Sequence, residues 1–448
     1  MSSTSLAALQ IRQELRLRGP TAPSDLKLRT RLSPATFTRA MSTLRPELLT
    51  VGATRAQVVA LRREIPGLPA EIPIYELLPA QPRLFGTLIP VEPKGFFVRS
   101  PFPVQGFYDD LPWFLNDLRP EGFLGRLQVL QNADPELPTD ARLWSASQLL
   151  RWLSRWGVDM VGSFVVGDAA FSRTAHQGLS TVRSDHRAHD YGLLAQQAMT
   201  LGVPGSSAAG EQPKFLTIRR DEAGDTAVLV KFSPPLADPA ARRVADLLRA
   251  EHHALELLRD LGIPAACSAL IRGKDRLFLE VERFDRPAGG RRGMVALSSV
   301  AGWAGAALDN WTAAAEDLGT LLNPSIRERM RWLYIFGALI GNTDRHAGNL
   351  SFFFDEGKIG DLTPVYDMLP MRYYPRAGEF STPPLLPPPP SPRPGSLWPE
   401  IWTAAATFWR KVEGDPEIDS ELRRVAGENA GRLEEVLSVF PAIAGGAD

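Results

Sequence analysis

The first 65 residues carry the apolar spacing of three short helices followed by two strands. Residues 4–18 are predicted to be helical, because Leu6, Leu9 and the stretch from Ile11 to Leu15 place apolar side chains toward one side. A second short helix is predicted to begin at Pro23, because proline suits the first turn of a helix. Ser33 is a good N-cap for a third helix, whose apolar side chains recur at i, i+3, i+4 and i+7. These side chains are Phe37, Ala40, Met41 and Leu44. The apolar runs 48–51 and 57–61 then predict a β-hairpin, and this order of elements resembles a winged helix-turn-helix domain.

Three further regions differ in their balance of strand and helix. Residues 66–185 alternate short strand-like runs with helical ones, among them a helix predicted at 141–156. Residues 186–286 combine strands with one long helix, and residues 287–448 are mainly helical apart from one hairpin. A small β-rich lobe before a larger helical lobe is typical of proteins that bind ATP in the cleft between lobes. We therefore expect an α+β fold with four domains. They are a winged helix-turn-helix-like domain (1–65), an α+β subdomain (66–185), an ATP-binding small lobe (186–286) and a catalytic lobe (287–448), the last two forming a bilobed protein-kinase-like body.

Charge is distributed unevenly along the chain. Residues 1–65 contain eleven Lys/Arg and four Asp/Glu, a net charge of +7, which leaves −8 for the rest of a chain whose net charge is −1. A basic module of this size predicts contact with double-stranded DNA through the helix that begins at Ser33. The candidate DNA contacts are Arg39, Arg45 and Arg55. The alternative is that residues 1–65 form a small helical cap, which packs on the next domain and binds nothing.

Composition and sequence pattern indicate the cellular compartment of the protein. The single cysteine, Cys267, excludes an internal disulfide and fits a reducing compartment. The N-terminus lacks the basic and apolar pattern of a secretory leader, and no apolar run is long enough to cross a bilayer. We expect a cytoplasmic protein with no membrane partner. Residues 383–394 hold eight prolines and are predicted to form an extended surface loop, with a polyproline ligand for a partner as the alternative.

The strongest chemical signal is a polar loop after an apolar helix. The helix 326–340 should end at Gly341, and two strands joined by a turn should then return the chain so that Asp367 lies beside the loop. The loop reads Asp344-x-x-x-x-Asn349, and this order followed by a later Asp is that of a protein-kinase site. Two carboxylates and an amide suit phosphoryl transfer on a Mg²⁺-bound nucleotide. Turn chemistry alone would explain some of these residues singly. His346 could orient the loop or bind a metal in a different chemistry.

Three other segments could contact ATP. Lys231 ends an apolar strand and could reach the phosphates, with Glu251 as a possible ion-pair partner and an edge lysine that reaches water as the alternative. The small-residue loop 205–214 could hold phosphates with its backbone N–H groups, although Glu211 stands where a Walker A loop needs lysine. The segment Glu282-Arg283-Phe284 could offer backbone groups to adenine, or its charges could be solvated.

Together these residues resemble the HipA family of bacterial toxin serine/threonine kinases, over roughly residues 70–440. The resemblance rests on five motifs in family order: Ser207-Ala-Ala-Gly-Glu-Gln-Pro-Lys214, Val230-Lys231-Phe232, Glu282-Arg-Phe-Asp-Arg286, Gly341-Asn-Thr-Asp-Arg-His-Ala-Gly-Asn349 and Leu362-Thr-Pro-Val-Tyr-Asp367. The N-terminal helix-turn-helix and the segment Leu111–Pro120 resemble the HipH (YjjJ) branch.

The resemblance implies a role for each matching residue. Asp344 would be the catalytic base, Asn349 and Asp367 would be Mg²⁺ ligands, and Ser207, or else Ser206, would be autophosphorylated to switch the enzyme off. The residues that would contact ATP are Lys231, Ser207, Ala208, Ala209, Gly210, Gln212, Lys214, Glu282, Arg283, Phe284, His346 and Asn349.

The predicted function is that of an ATP- and Mg²⁺-dependent serine/threonine protein kinase of toxin type. Relatives phosphorylate aminoacyl-tRNA synthetases or other translation proteins, so a protein substrate of that kind is expected. Typical members are neutralised by a separate DNA-binding antitoxin, and a fused DNA-binding-like module puts the need for one in doubt. The alternatives are a DNA-binding regulator with an inactive kinase-like body, and a metal-dependent DNase that uses Asp344, His346 and Asp367.

Overall fold

The protein is described by a computed structural model. It covers residues 3–175, 178–201, 212–288, 290–376, 381–388 and 397–444. The chain divides into two compact units. The first comprises Met1–Arg119, Asp134–Gln177 and Glu356–Lys358, and the second comprises Pro120–Ala133, Gly178–Asp355 and Ile359–Asp448. The four predicted domains divide the chain more finely than these two units do, and that division stays a prediction.

Helices and strands are both abundant, as expected for the α+β class. The helices are α1 (Ser3–Arg18), α2 (Pro23–Thr30), α3 (Pro34–Leu44), α4 (Gly122–Gln131), α5 (Ala146–Trp156), α6 (Asp168–Arg173), α7 (Arg187–Leu201), α8 (Pro239–Asp260), α9 (Leu297–Ala304), α10 (Trp311–Asp317), α11 (Pro324–Leu339), α12 (Trp398–Gly414) and α13 (Ser420–Ala444). The strands are β1 (Leu48–Val51), β2 (Val58–Leu61), β3 (Ile72–Leu77), β4 (Pro82–Pro90), β5 (Phe96–Arg99), β6 (Gly106–Tyr108), β7 (Phe164–Val166), β8 (Thr181–Arg183), β9 (Lys214–Asp221), β10 (Gly224–Phe232), β11 (Ser268–Arg272), β12 (Leu277–Glu282), β13 (Met294–Ala296), β14 (Ser351–Asp355) and β15 (Lys358–Leu362).

The first 61 residues form the predicted three helices and hairpin. Ser33 caps α3, because its hydroxyl accepts a hydrogen bond from the Thr36 N–H at 3.3 Å. Arg31, with φ of +52°, ends α2 and turns the chain toward α3. The helices share one apolar core with the hairpin, which includes Ile11, Leu15, Leu26, Phe37, Ala40 and Leu44. The apolar spacing of the third predicted helix therefore identified Phe37, Ala40 and Leu44 as core residues correctly, whereas Leu6 of the first helix is exposed.

The rest of the first unit is built on a five-stranded antiparallel sheet in the order β6-β5-β4-β3-β7. One prediction in this region was wrong, since residues 141–156 do not form a single helix. A 3₁₀ turn covers Ala141–Leu143, and α5 begins only after Ser145. Ser145 and Gln148 cap each other's backbone N–H groups, and this capping box starts a new helix there.

The second unit contains a five-stranded sheet in the order β11-β12-β10-β9-β8, with β10 at its centre. Alternate side chains of β10 point to opposite faces. Val228, Val230 and Phe232 pack with Tyr191 and Ala195 of α7. The intervening Lys231 faces the other side, where its side chain meets Glu251 of α8. The strand therefore presents one lysine on the face away from α7.

The helical part of the second unit fixes the end of α11. The buried Trp409 of α12 donates from Nε1 to the Leu339 carbonyl at 3.0 Å. The predicted hairpin of β14 and β15 is present, but β13 pairs with β14 and makes a three-stranded sheet, which the sequence analysis missed. Residues 381–388 contain neither helix nor strand, in line with their prolines. Within the described ranges, no helix is both long and apolar enough to cross a membrane.

Candidate active site

A glycine-terminated helix delivers the polar loop. Gly341 has φ of +76°, in the left-handed region that glycine adopts without strain. The Gly341 N–H donates to the Ala338 carbonyl at 3.1 Å, and the Asn342 N–H donates to the Gly337 carbonyl at 2.8 Å. This pair of bonds is a Schellman motif, which satisfies the last carbonyls of α11. The loop that follows therefore leaves the helix in one defined direction.

Asn342 connects the two segments that carry the predicted acidic residues. Its side chain is 1% exposed. Its Oδ1 accepts the Asp344 N–H at 2.9 Å, and its Nδ2 donates to the Asp367 carbonyl oxygen at 3.3 Å. This role of Asn342 was not predicted from the sequence. An Asn two residues before Asp344 was the available signal, because an Asx-turn uses that spacing.

The loop brings two other predicted residues, His346 and Asn349, close to Asp344. The Asp344 carboxylate is half-exposed, and His346 Nε2 lies 3.7 Å from its Oδ1. His346 Nδ1 accepts the Gly348 N–H at 3.0 Å, so the ring orients the loop by hydrogen bonding. Asn349 Nδ2 donates to the Asp344 carbonyl at 2.8 Å, which leaves the amide oxygen as an acceptor. The structure thus brings Asp344, His346 and Asn349 together.

Lys231 joins this loop region to α8. Its side chain is buried, and Nζ donates to Glu251 Oε1 at 2.6 Å and to Asp367 Oδ1. Burial alone would lower the pKa of Lys231, but the charges of Asp367 and Glu251 outweigh it and raise the pKa, so the ammonium ion is kept. The pairing with Glu251 is confirmed, and the alternative of an edge lysine that reaches water does not hold, because β10 is a central strand.

Asp367 is held in an unusual backbone conformation. Its φ is +52°, a region that Asp tolerates better than most residues. Two residues earlier, Val365 pairs with the segment after α8: its N–H donates to Pro264 and its carbonyl accepts from Ala266, both at 2.9 Å. Burial opposes ionisation of Asp367, but Lys231, then Lys214, and also His346 lower the pKa of this carboxyl. Asp367 is therefore ionised beside Lys231.

The predicted phosphate-binding segment is described only in part. Ser206, Ser207, Ala208, Ala209 and Gly210 lie outside the described residues. Gln212 is partly buried just before β9. Lys214 opens β9 directly opposite Lys231, and its charge acts on both Glu251 and Asp367. Two lysines therefore face the carboxylates from adjacent strands.

The predicted adenine-contacting segment is already engaged within the sheet. The Glu282 N–H donates to the Cys267 carbonyl at 2.8 Å, and the Arg283 N–H donates to Ala227 at 2.9 Å. The Glu282 carboxylate pairs with Arg219 at 3.0 Å. Phe284 lies next to Tyr366, with ring centroids 5.9 Å apart. An adenine contact by this segment would therefore use the Phe284 ring or backbone atoms other than these two N–H groups.

The residues present fit a Mg²⁺–nucleotide. Asp367 supplies a partly exposed carboxylate and Asn349 an amide oxygen, which are donors that Mg²⁺ prefers. Protein sites for Mg²⁺ commonly use one or two carboxylates and leave the other positions to phosphate oxygens and water. In the part of the chain that the structure describes, no group of three His, Cys, Asp or Glu residues could hold a metal ion.

Comparisons with known proteins show which family the chain resembles. Residues 68–175 match the middle domain of YjjJ-like toxins, and residues 206–387 match the HipA-like C-terminal domain. The chain is 33% identical to toxin YjjJ of Escherichia coli (strain K12) over 432 residues, which is 94% of this chain and 97% of that protein. It is also similar in fold to a chain of the solved complex of Shewanella oneidensis MR-1 HipA, HipB and operator DNA. That match has a TM-score of 0.56 and 17% identity and covers 83% of this chain and 99% of the other.

The structure therefore has an α+β fold of the HipA type. The identity to toxin YjjJ over nearly the whole chain goes further: the protein belongs to the YjjJ branch of the HipA-like toxins. The family resemblance seen in the sequence motifs is confirmed.

Asn342→Ala should loosen the loop without unfolding the protein. The substitution removes the acceptor of the Asp344 N–H and the donor to Asp367, so amide hydrogen exchange in residues 342–349 should accelerate. The free energy of unfolding should fall by roughly 1–3 kcal/mol, the usual cost of leaving a buried polar group unpaired. Asn429→Ala is a matched control, because Asn429 is equally buried and donates to the Tyr373 hydroxyl at 2.9 Å. Equal acceleration of loop exchange in both variants would refute the connecting role of Asn342.

Proposed function

We propose that the protein is an ATP- and Mg²⁺-dependent serine/threonine protein kinase of the HipA-like toxin type. The observation that carries the proposal is the ion-paired group Lys231, Glu251 and Asp367, joined through Asn342 to the loop that bears Asp344 and Asn349. This combination supplies a cation for phosphates, an exposed carboxylate for a hydroxyl and oxygen donors for Mg²⁺.

Each side chain has a distinct part in the proposed reaction. Asp344 is exposed and would accept a hydrogen bond from a substrate hydroxyl and take its proton. His346 and Asn349 hold the loop around Asp344, because their side chains form hydrogen bonds with backbone groups of the same loop. Lys231, kept charged by its two carboxylates, would pair with nucleotide phosphates in place of part of its contact with Asp367.

Asp367 and Asn349 would hold Mg²⁺ on the nucleotide. The ion, when bound, would offset the negative charge of the β- and γ-phosphates. Asp367 is ionised already and partly exposed, so it need not lose a proton to act as a ligand. Lys231 would retain Glu251 as a counter-charge if Asp367 bound the ion.

Several finer assignments belong to the same proposal. The substrate would be a protein hydroxyl, with a translation component such as an aminoacyl-tRNA synthetase as the expected kind. Ser207, or Ser206, would be the site of autophosphorylation. The solved complex that resembles this fold holds HipA with HipB and operator DNA, which supports the proposal that this chain also meets an antitoxin or DNA.

Removal of either acidic residue should abolish phosphoryl transfer. Asp344→Ala should lower turnover by at least about 100-fold, the usual contribution of a positioned general base, and leave ATP affinity nearly unchanged. Asp367→Ala should lower turnover and also weaken Mg²⁺–ATP binding. Transfer from γ-labelled ATP and calorimetric ATP titration test both effects, with plasmid DNA incubated in parallel. Asp361→Ala is the control, because Asp361 is exposed on β15, where its carboxylate pairs with Arg329 at 3.2 Å and accepts the Leu362 N–H at 2.7 Å.

Three outcomes are informative. Undiminished turnover in Asp344→Ala or Asp367→Ala would end the assignment of that residue. Cleavage of plasmid DNA that depends on Asp344 and Asp367, without transfer from ATP, would favour the nuclease. DNA binding with neither activity would favour a regulator with an inactive body.

The exposed face of α3 favours DNA binding as a second function of the chain. Arg39 and Arg45 are exposed, and the stretch 26–46 contains five basic residues and no acidic one. The apolar side of α3 is buried, so its polar side faces outward. A basic helix after a helix-turn arrangement can lie in the major groove. Arg55 lies in the turn between β1 and β2, and its side chain lies outside the described part of the structure.

The double variant Arg39→Ala, Arg45→Ala should weaken binding to double-stranded DNA and flatten its salt dependence. Each phosphate contact contributes roughly 0.9 to the slope of log K against log salt, so the slope should fall by up to about two. Fluorescence anisotropy of the full chain on labelled duplexes at several salt concentrations measures both. Arg18→Ala is the control, since Arg18 is exposed on α1 and pairs with Glu14. If the wild-type chain has no affinity for DNA at low salt, residues 1–65 act as the helical cap that binds nothing.

A further inference from the structure

Arginine side chains line a cavity in the second unit. It has a volume of about 230 Å³ and lies between the first half of α8, the β11–β12 turn and the segment before α13. Four arginine side chains line it, and we call it the arginine pocket. They are Arg242, Arg249, Arg272 and Arg276. It shares no lining residue with the candidate active site.

Four arginines and three acidic residues, Asp246, Glu417 and Asp419, line the arginine pocket, so its positive charges outnumber its negative ones by one. One oxygen of Glu417, Oε2, accepts from both Arg249 and Arg272, each at 3.0 Å, so two guanidinium groups share one carboxylate. Arg276 donates to the Ser233 carbonyl at 2.8 Å and lies over the Phe232 ring. Among the described residues, neither Arg242 nor Arg276 has a carboxylate within 4 Å of its guanidinium nitrogens.

Burial makes this shortage of negative charge costly. The partial burial of Arg276 lowers its pKa, and nearby Asp275 only partly offsets the effect. A cation held where its charged form is disfavoured gains from any anion that reaches it. The arginine pocket therefore provides a favourable electrostatic environment for a negatively charged group.

One buried acid, Asp246, also lines the arginine pocket. Its Oδ1 accepts the Asp419 N–H at 3.3 Å, and its Oδ2 is buried with no hydrogen-bond partner in the described part of the chain. Burial, together with the charge of Asp419, raises the pKa of Asp246 to about 7. Its negative charge is therefore reduced at neutral pH, and its protonated form offers a hydrogen-bond donor to an oxyanion.

We infer that the arginine pocket binds a phosphate group, either inorganic phosphate or a small phosphate monoester. Guanidinium groups match phosphate because their N–H donors form parallel pairs of hydrogen bonds with its oxygens. The volume is below the roughly 300–1,000 Å³ of pockets for drug-sized ligands, so it suits a small anion or the anionic end of a larger molecule.

This inference does not depend on the proposed function. The arginine pocket and the candidate active site nevertheless share α8, which carries Arg249 two residues before Glu251. A phosphate held by Arg249 would therefore contact the helix that positions the partner of Lys231.

Calorimetric titration of the full chain tests the site, with inorganic phosphate and phenyl phosphate as separate probes at constant ionic strength. We expect saturable binding of at least one probe, and the stronger probe distinguishes the free ion from the ester. Arg242→Gln and Arg276→Gln should each weaken it about tenfold, the size expected for one hydrogen bond to a charged group. Glu417→Gln should tighten binding, because it releases Arg249 and Arg272 from their shared carboxylate. Misfolding could not produce that gain.

One control variant locates the binding. Arg424→Gln removes an exposed arginine of α13 that pairs with Glu428 and should leave the affinity unchanged. The inference is overturned if neither probe binds saturably, if Glu417→Gln fails to tighten binding, or if Arg242→Gln and Arg276→Gln both retain the wild-type affinity.

Discussion

The ion group formed by Lys231, Glu251 and Asp367 is the interaction on which the second unit depends. Removing an ammonium group from water costs several kcal/mol unless opposite charges replace the water. Glu251 and Asp367 provide those charges from two different parts of the chain, a long helix and a segment after the β14–β15 hairpin. A single buried lysine thus joins a central strand to α8 and to the loop region, and each of the three elements needs the other two.

The site is also held together by neutral hydrogen bonds that carry no chemistry of their own. Trp409 fixes the end of α11, the Schellman motif around Gly341 sets the exit direction, and Asn342 connects Asp344 with Asp367. Directional hydrogen bonds to backbone groups restrict the position of a residue more than ion pairs at a surface do. The acidic side chains can therefore stay partly exposed while their backbones stay fixed.

Much of this arrangement could be predicted from the sequence, because it follows from local rules. Apolar spacing located α1, α3 and α11, Gly341 marked a helix end, and the turn at 355–357 marked a hairpin. Features that arise from distant residues were missed. The capping box at Ser145 split a predicted helix, β13 joined the hairpin from sixty residues earlier, and the role of Asn342 depends on a contact with Asp367. The arginine pocket could likewise not be predicted, since its side chains come from a helix, a strand end and a turn that are far apart in sequence.

The alternation of side chains along β10 has a consequence for how this chain can vary. Val230 and Phe232 are buried against α7, while Lys231 between them faces α8. A one-residue insertion or deletion within the paired part of β10 would exchange the two faces, placing an ammonium group in the apolar core and a valine or phenylalanine opposite Glu251. Surface loops in general tolerate changes in length, whereas β10 can exchange residues only at constant length.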